Sequence, residues 1–452
     1  MCRMKEDVNG VNEAHADEKA SRALDKPREV KRYIRAITWV VRILVGGTFV
    51  FSGFVKCIDP LGTVYKMADY IAVLPMDIPE ALILPGAFTL CISEFLCGVF
   101  LLFGCFRRFS PWLLAAFMIF FTPFSLWIAI ADPVPDCGCF GDALVISNWE
   151  TFWKNIALCV GTIWLILFNR FTGWLIRPYL QWIAVIVSGI FSLAVSLYGY
   201  DWQPMIDFRP YPVGSHLYSE ATGTEPEMVF IYEKDGEKKE FKESDILPSE
   251  DEGWTFVDRK EVAATHPEAN SEKETESVIV YDEMGEEDVS RDVLGAGGKQ
   301  LLLLIPDLNA TTPSSSYTIN SMNTWATNLG IDFAAIVAGS QEEIETWKDL
   351  SMPSYPIYTS EDTVIKEVAR GNPSIVYLED GVVMWKRTLL SLPVQDFLEK
   401  DVTQNPMDFA LDSERLLISA VLIYIAAMII LTGFSFIPVL AGKISRLSAK
   451  DR

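Results

Sequence analysis

Beyond residue 159 the 452-residue chain has no cysteine, and its three histidines (His15, His216, His266) all lie outside the apolar stretches. The first absence leaves the later two thirds of the chain without disulfides or a thiol active site. The second excludes a haem held between two membrane histidines and argues against a His-rich zinc or copper centre. Cations are also scarce. The net charge is −22, which argues against nucleic acid, whose phosphates need clustered Lys and Arg. No cleavable leader is recognisable: the first 36 residues are too polar, and no small-residue cleavage site follows the first apolar run. The first span is therefore expected to act as an uncleaved anchor.

What is present is segregated. Half of the residues are apolar, a proportion at odds with that charge in one soluble globule. The apolar residues cluster before residue 200 and after residue 415; between them stand about 43 Asp and Glu against about 17 Lys and Arg. Such an excess of acid serves first to keep a domain soluble. Apolar runs of about 17 to 25 residues read as spanning helices. Six are predicted, over 37–58, 81–104, 111–131, 152–168, 180–199 and 416–441. One such run can be a buried soluble helix, but six that are apolar on every face cannot.

Cations orient the spans. Lys26, Arg28, Lys31, Arg32 and Arg35 precede the first; Arg107 and Arg108 follow the second; Arg170 and Arg177 follow the fourth; Lys443, Arg446, Lys450 and Arg452 follow the sixth. The alternate connections are acid-rich. The chain thus reads as a multi-pass protein of a plasma (inner) membrane with both termini cytoplasmic, and with 59–80, 132–151 and 200–415 extracytoplasmic (periplasmic).

The feature with most chemical content is Cys137-Gly138-Cys139, in the connection between spans three and four. Thiols outside the cytoplasm tend to be oxidised. Two cysteines one residue apart reach disulfide distance only in a tight loop, for which Gly138 supplies the conformational freedom. A strained bond of that kind is labile, hence the expectation of a redox-active catalytic pair. A static loop-fixing disulfide, two unpaired thiols and a metal site remain open; for a metal, no further Cys or His ligand lies in the outward loops before His216. Cys91, Cys97 and Cys159 read as packing residues, and Cys57, at the outer end of span one, is the cysteine best placed to exchange with the pair.

Three charges fall within or beside the spans: Arg42, Lys56 and Glu94. Arg42 and Lys56 can snorkel to opposite faces. Glu94 is deep in span two, where a lone carboxylate is costly. Counting rise per residue puts it level with Arg42 and predicts an Arg42–Glu94 ion pair, with a proton-relay role for Glu94 as the alternative.

Arg42, Gly46, Phe51-Ser52-Gly53-Phe54-Val55-Lys56 and Asp59-Pro60 resemble the first helix of DoxX-like membrane proteins. Cys137-Gly138-Cys139-Phe140-Gly141, followed by Trp149 and Lys154-Asn155, resembles the MauE family. The resemblance covers roughly 33–170. It implies a four-helix unit and membrane-linked thiol or electron chemistry. MauE is thought to work with a thioredoxin-like partner in maturing a disulfide-rich protein, and DoxX relatives include a subunit of a thiosulfate:quinone oxidoreductase.

Alternation and turn residues predict a β-hairpin over 227–242 with its turn at Asp235-Gly236, then an acidic linker over 243–276 with room for one strand at 254–258. Strands at 301–305, 333–337, 374–378 and 382–387 then alternate with helices at 317–329, 341–350, 361–370 and 393–400. This order resembles a membrane-tethered thioredoxin-like fold, with Pro373 of Asn372-Pro373 at that family's cis-proline position. Where such a fold carries its two cysteines, this sequence has Asp307-Leu308-Asn309-Ala310-Thr311-Thr312-Pro313. The domain therefore has no thiolate of its own, and is expected to be a binding platform or a docking surface for the membrane pair.

The fold class expected is an α-helical membrane bundle, a DoxX/MauE-like four-helix unit plus two further spans, with an α/β thioredoxin-like extracytoplasmic domain. Its parts are a cytoplasmic segment 1–36, the four-helix unit 37–170, a fifth span 180–199, a hairpin and acidic linker 200–276, the thioredoxin-like domain 277–402, a sixth span 416–441 and a tail 442–452. The function expected is a thiol–disulfide or electron-transfer component, or maturation factor, of the cell envelope. It would act in the lipid bilayer between an envelope thiol partner or client protein and a carrier such as a quinone. The alternative is a non-enzymatic scaffold whose inert thioredoxin-like domain binds a partner. A transporter has little support, because the spans show no broken-helix repeat.

Overall fold

The computed structural model describes all residues except 1–2, 74–78, 135–136, 220–226, 235–236, 243–254, 263–276, 394–404 and 449–452. Among the described residues six helices are long and apolar enough to cross a membrane: Val30–Ile58, Ile83–Phe103, Ser110–Ala131, Asn148–Leu167, Pro178–Asp201 and Pro406–Pro438. They belong to helices α1 (Arg3–Ile58), α3 (Ile83–Phe103), α4 (Ser110–Ala131), α5 (Asn148–Leu167), α6 (Gln181–Asp201) and α11 (Ser413–Ser448), while α2 (Pro60–Val73) is a shorter helix between the first two spans. Helix ends depart from the hydropathy limits because caps end a helix, and apolarity does not. A Ser147–Glu150 capping box starts α5, and Gly104, at φ 69°, stops α3.

Small residues decide how α1 meets α3. In a bilayer, helices associate through close packing, because lipid is as apolar as their side chains. A β carbon at Gly53 would lie 2.3 Å from Phe95 N, and one at Gly98 would lie 2.5 Å from Val50 N. The two backbones therefore touch, antiparallel, in one register. That register places Glu94 about one turn from the end of α1 and sets Arg42 beyond the last turn of α3.

The expected Arg42–Glu94 pair accordingly does not form. Arg42, 1% exposed, does not snorkel; it donates to Leu101 O, to Leu102 O (2.9 Å) and to Gly173 O (2.8 Å). These include the last carbonyls of α3, which have no partner within the helix and carry the negative end of its dipole. Lys56 does not snorkel either. It turns inward to Glu94 Oε2 at 2.7 Å, both side chains being buried. Counting residues from each predicted span end ignores the offset between neighbouring helices, and that offset is what misplaced Glu94.

Beyond the bundle, β1 (Glu227–Lys234), β2 (Glu237–Lys242) and β3 (Thr255–Val262) form an antiparallel sheet in the order β2-β1-β3. The predicted turn at Asp235-Gly236 lies outside the described residues. A second domain follows: α7 (Ser290–Leu294), β4 (Lys299–Ile305), α8 (Ser315–Asn328), β5 (Asp332–Val337), α9 (Gln341–Ser351), β6 (Ile357–Thr359), α10 (Asp362–Val368), β7 (Ser374–Glu379) and β8 (Val382–Thr388). Its mixed sheet runs β6-β5-β4-β7-β8; β4 is parallel to β5, β5 to β6, and β7 and β8 are antiparallel to their neighbours.

Strand β4 is central and buried on both faces, as its unbroken Leu run requires. Leu301, Leu303 and Ile305 enter one core with Trp325 and Trp347; Leu302 and Leu304 enter the other with Val280 and Ile365. Burying each such side chain contributes roughly 1.5–3 kcal/mol. The helix expected at 393–400 falls almost wholly outside the described residues. The described architecture is thus a set of six long apolar helices and a domain built on a mixed five-stranded sheet.

Candidate functional site

The Cys-Gly-Cys loop is pinned at both ends by helix termini. Asp132, at φ 45°, ends α4, and Ser147 caps α5. Across the base the Asn148 amide donates to Asp132 Oδ1 (2.8 Å) and to Val134 O (3.0 Å). Gly138 takes φ 61°, which a side chain would strain, and a β carbon there would stand 3.2 Å from Lys66 Cγ. This turn brings the Cys137 and Cys139 sulfurs to 3.0 Å, as two half-buried thiols.

Neighbouring helices hold the loop by its carbonyls. Ser52 Oγ on α1 donates to Cys139 O at 2.6 Å, and Tyr70 Oη on α2 donates to Cys137 O at 2.9 Å. Lys56 Nζ donates to the same Ser52 Oγ (3.2 Å) as well as to Glu94 (2.7 Å). A buried polar chain thus runs from Glu94 through Lys56 and Ser52 to the backbone of Cys139. A cavity of about 30 Å³, lined by Ser52, Lys56, Glu94, Cys139 and Lys154, adjoins it; that is room for a water.

These surroundings treat the two thiols unequally. The hydrogen bond from Cys137 holds the Cys139 thiol below its ordinary range, at about 6; the Lys154 and Lys56 ammoniums add to this, and together they outweigh burial. Cys137 moves the other way, pushed up by its hydrogen bond with Cys139 and then by burial. Of the two sulfurs, Cys139 is the one whose surroundings favour the thiolate.

A larger cavity, about 250 Å³, opens on the other side of the sulfurs. Both cysteines line it, together with Lys56, Lys66 and Tyr70 and an apolar wall. Cys57 does not line it. That thiol is 1% exposed and packs with Cys91 and Phe95, away from the pair with which it was expected to exchange.

The mixed-sheet domain sits directly over the loop. Arg370, between α10 and β7, reaches Asp59 Oδ2 at 2.8 Å and Asp142 Oδ2 at 2.7 Å. Burial opposes its charge, but Asp59 and then Asp142 outweigh it and hold the guanidinium protonated. Its own N–H donates to Gln203 Oε1 (3.0 Å), and its carbonyl accepts from Gln203 Nε2 (2.6 Å). Nearby, Asp207 pairs with Arg209 at 2.6 Å and Lys386 at 2.9 Å. Burial would raise the Asp207 carboxyl, yet Arg209 and then Lys386 pull it down to about 2. The Asn372–Pro373 bond is cis. Asn372 accepts from Thr311 Oγ1 (3.2 Å) and donates to Asp307 O (2.7 Å), so hydroxyl and amide groups fill that corner of the domain.

The structure thus brings Cys137, Cys139, Lys56 and Glu94 together and leaves Arg42 apart, roughly four turns before Lys56 on α1. Residues 307–313 and Pro373 lie in the sheet domain. Sequence reasoning did not assign roles to Ser52, Tyr70, Asp59, Asp142 or Arg370. Ser52 was visible inside the Phe51–Lys56 run, and the two aspartates among the acids of the connections. Tyr70 and Arg370 carried no signal, because their contacts are long-range.

Residues 34–168 match the family described as methylamine utilisation protein MauE, and residues 226–264 match a domain of unknown function, DUF8463. No curated protein matches the chain. Among solved structures it is similar to a secreted Mycobacterium tuberculosis disulfide oxidoreductase homologous to E. coli DsbE. The identity is 14%, over 32% of this chain and 93% of that one, with a TM-score of 0.20.

Proposed function

We propose that this protein is a membrane-embedded thiol–disulfide component in which Cys137 and Cys139 pass electrons from an envelope thiol protein to a second carrier. The observation that carries this reading is the pair itself: two sulfurs 3.0 Å apart, in a glycine-permitted turn, beside two lysines that favour one thiolate. The MauE match over the same helices supports it. The positive-inside pattern supports an extracytoplasmic position for the loop.

The inequality of the thiols supplies the direction of exchange. In the oxidised pair, a thiolate of the client attacks Cys137 Sγ and Cys139 leaves as the stabilised thiolate, since the lower-pKa sulfur is the better leaving group. The client's second thiolate then attacks the mixed disulfide. The client gains a disulfide, Cys137 is released, and the pair is left reduced with two electrons to pass on.

The sheet domain is read as thioredoxin-like from its strand order and from Pro373. Having no thiol, it acts by holding the loop through Arg370. The scaffold reading draws on the same absence of thiols.

Trapping tests the choice. Cys139→Ser should accumulate a mixed disulfide through Cys137 in intact cells, resolved by reductant on a gel. No adduct in an oxidising envelope, together with full cellular function of the double Cys→Ser variant, leaves the scaffold reading in its place.

A further inference from the structure

The 250 Å³ cavity has two unlike ends, and their chemistry indicates what fits between them. Beside the two sulfurs stand Lys56, Lys66 and Tyr70; most of the remaining wall is carbon, from Met67, Leu90 and the rings of Phe120, Phe121 and Phe124, with charged side chains, Asp207 and Arg209 among them, along another part. A cysteine-bearing peptide suits such a wall poorly, because its backbone N–H and C=O groups would lack partners there. A planar apolar ring suits it well. The cavity is smaller than most ligand pockets, which start at roughly 300 Å³, so it takes one ring and leaves any tail outside.

The wall also shows where such a ring would come from. Phe120 lines the cavity, yet it is 62% exposed on the surface of a helix apolar enough to cross a membrane. Asp59 and Asp142, both bound to Arg370, also line it. The apolar stretch of the wall is therefore continuous with a helix face that a bilayer would cover.

We infer that this cavity is the binding site of a lipid-borne quinone, which takes the two electrons of the Cys137–Cys139 dithiol from within the membrane. The inference rests on the redox reading above and names its second carrier. The step balances: the Cys137 S–H bond breaks and one S–S bond forms to the Cys139 thiolate, while both carbonyls of the quinone become hydroxyls as it gains two electrons, one proton from Cys137 and one, released earlier when Cys139 ionised, from water. The lysine ammoniums lie at the end where oxygen acquires negative charge during transfer. Cys139, which favours the thiolate, starts the electron transfer, and Cys137 closes the disulfide.

The test uses the full chain in nanodiscs, reduced and then desalted. Decylubiquinone is added, and quinol formation is followed by absorbance alongside thiol alkylation of the pair. About one quinol per protein is expected, with disappearance of both thiols. Leu90→Trp and Met67→Trp, each filling the cavity, should slow this at least tenfold while leaving oxidation by the small soluble oxidant diamide unchanged; that unchanged rate also reports an intact loop. If diamide closes the disulfide but decylubiquinone does not, the quinone site is overturned and the thiol–disulfide reading stands. Equal quinone rates in wild type and both tryptophan variants overturn the cavity as the site. If neither oxidant closes the pair, the redox reading itself fails, and this inference fails with it.

Discussion

Lys56 on the first span and Glu94 on the second form a buried ion pair, 2.7 Å between Nζ and Oε2. A hydroxyl, Ser52, links that pair to the carbonyl of Cys139. These two buried charges therefore lie beside the redox candidate, and each depends on the other.

Removing one partner strands the other. Glu94→Gln leaves the buried Lys56 without its counter-charge and should lower stability by about 3–5 kcal/mol. Lys56→Met combined with Glu94→Gln removes both charges and should recover more than half of that loss. Unfolding of the purified variants in detergent, followed by circular dichroism, checks the ordering.

Thiolate chemistry should appear at unusually low pH. With Cys139 held at about 6, its alkylation by iodoacetamide should rise as pH climbs through 6 and level off near neutrality. An ordinary thiol rises around pH 8.5. Cys137→Ala removes the hydrogen bond that is the largest cause and should move the midpoint upward; Lys154→Gln should move it upward by less. Mass spectrometry of the alkylated loop reads each midpoint, and an unchanged midpoint in Cys137→Ala contradicts the assignment.

Arg370 joins the sheet domain to the loop through Asp59 and Asp142. Arg370→Ala leaves two carboxylates facing each other without the cation that bridges them, so the contact should loosen. Cys137 should then alkylate several-fold faster, and protease should cut the chain near the domain boundary sooner. Arg370→Lys keeps the charge but loses the two-pronged geometry, and should fall between the two.

Helix contact predicts an asymmetry among glycines of α1 and α3. A β carbon at Gly98 meets backbone at 2.5 Å, whereas one at Gly47 meets nothing within 4 Å. Gly98→Val should therefore abolish accumulation of folded protein, since the neighbour is main chain and cannot yield. Gly47→Ala should be neutral or stabilising by up to about 1 kcal/mol. Fluorescence-detected size exclusion separates the two outcomes.

Much of the architecture was legible in order along the chain. Apolar runs longer than a soluble helix needs marked six spans, because lipid demands side chains that are apolar all round. The Leu301–Ile305 run and the alternating strands marked the mixed sheet, because pleat period is a local property. The cysteine pair and its glycine stood out for the same reason: their chemistry depends on spacing within three residues.

The partners of the charges were not legible. Which cation meets Glu94 depends on how far α3 slides along α1, and that slide is set by where Gly53 and Gly98 let the two backbones touch. Spacing along one helix holds no information about the offset of its neighbour. Likewise Arg370 lies more than two hundred residues from Asp142, and only the docking of a sheet on a bundle brings them within 2.7 Å. The sequence by itself determined the spans, the sheet and the dithiol; tertiary packing alone decided which charges surround the dithiol, because those contacts join segments that no local rule relates.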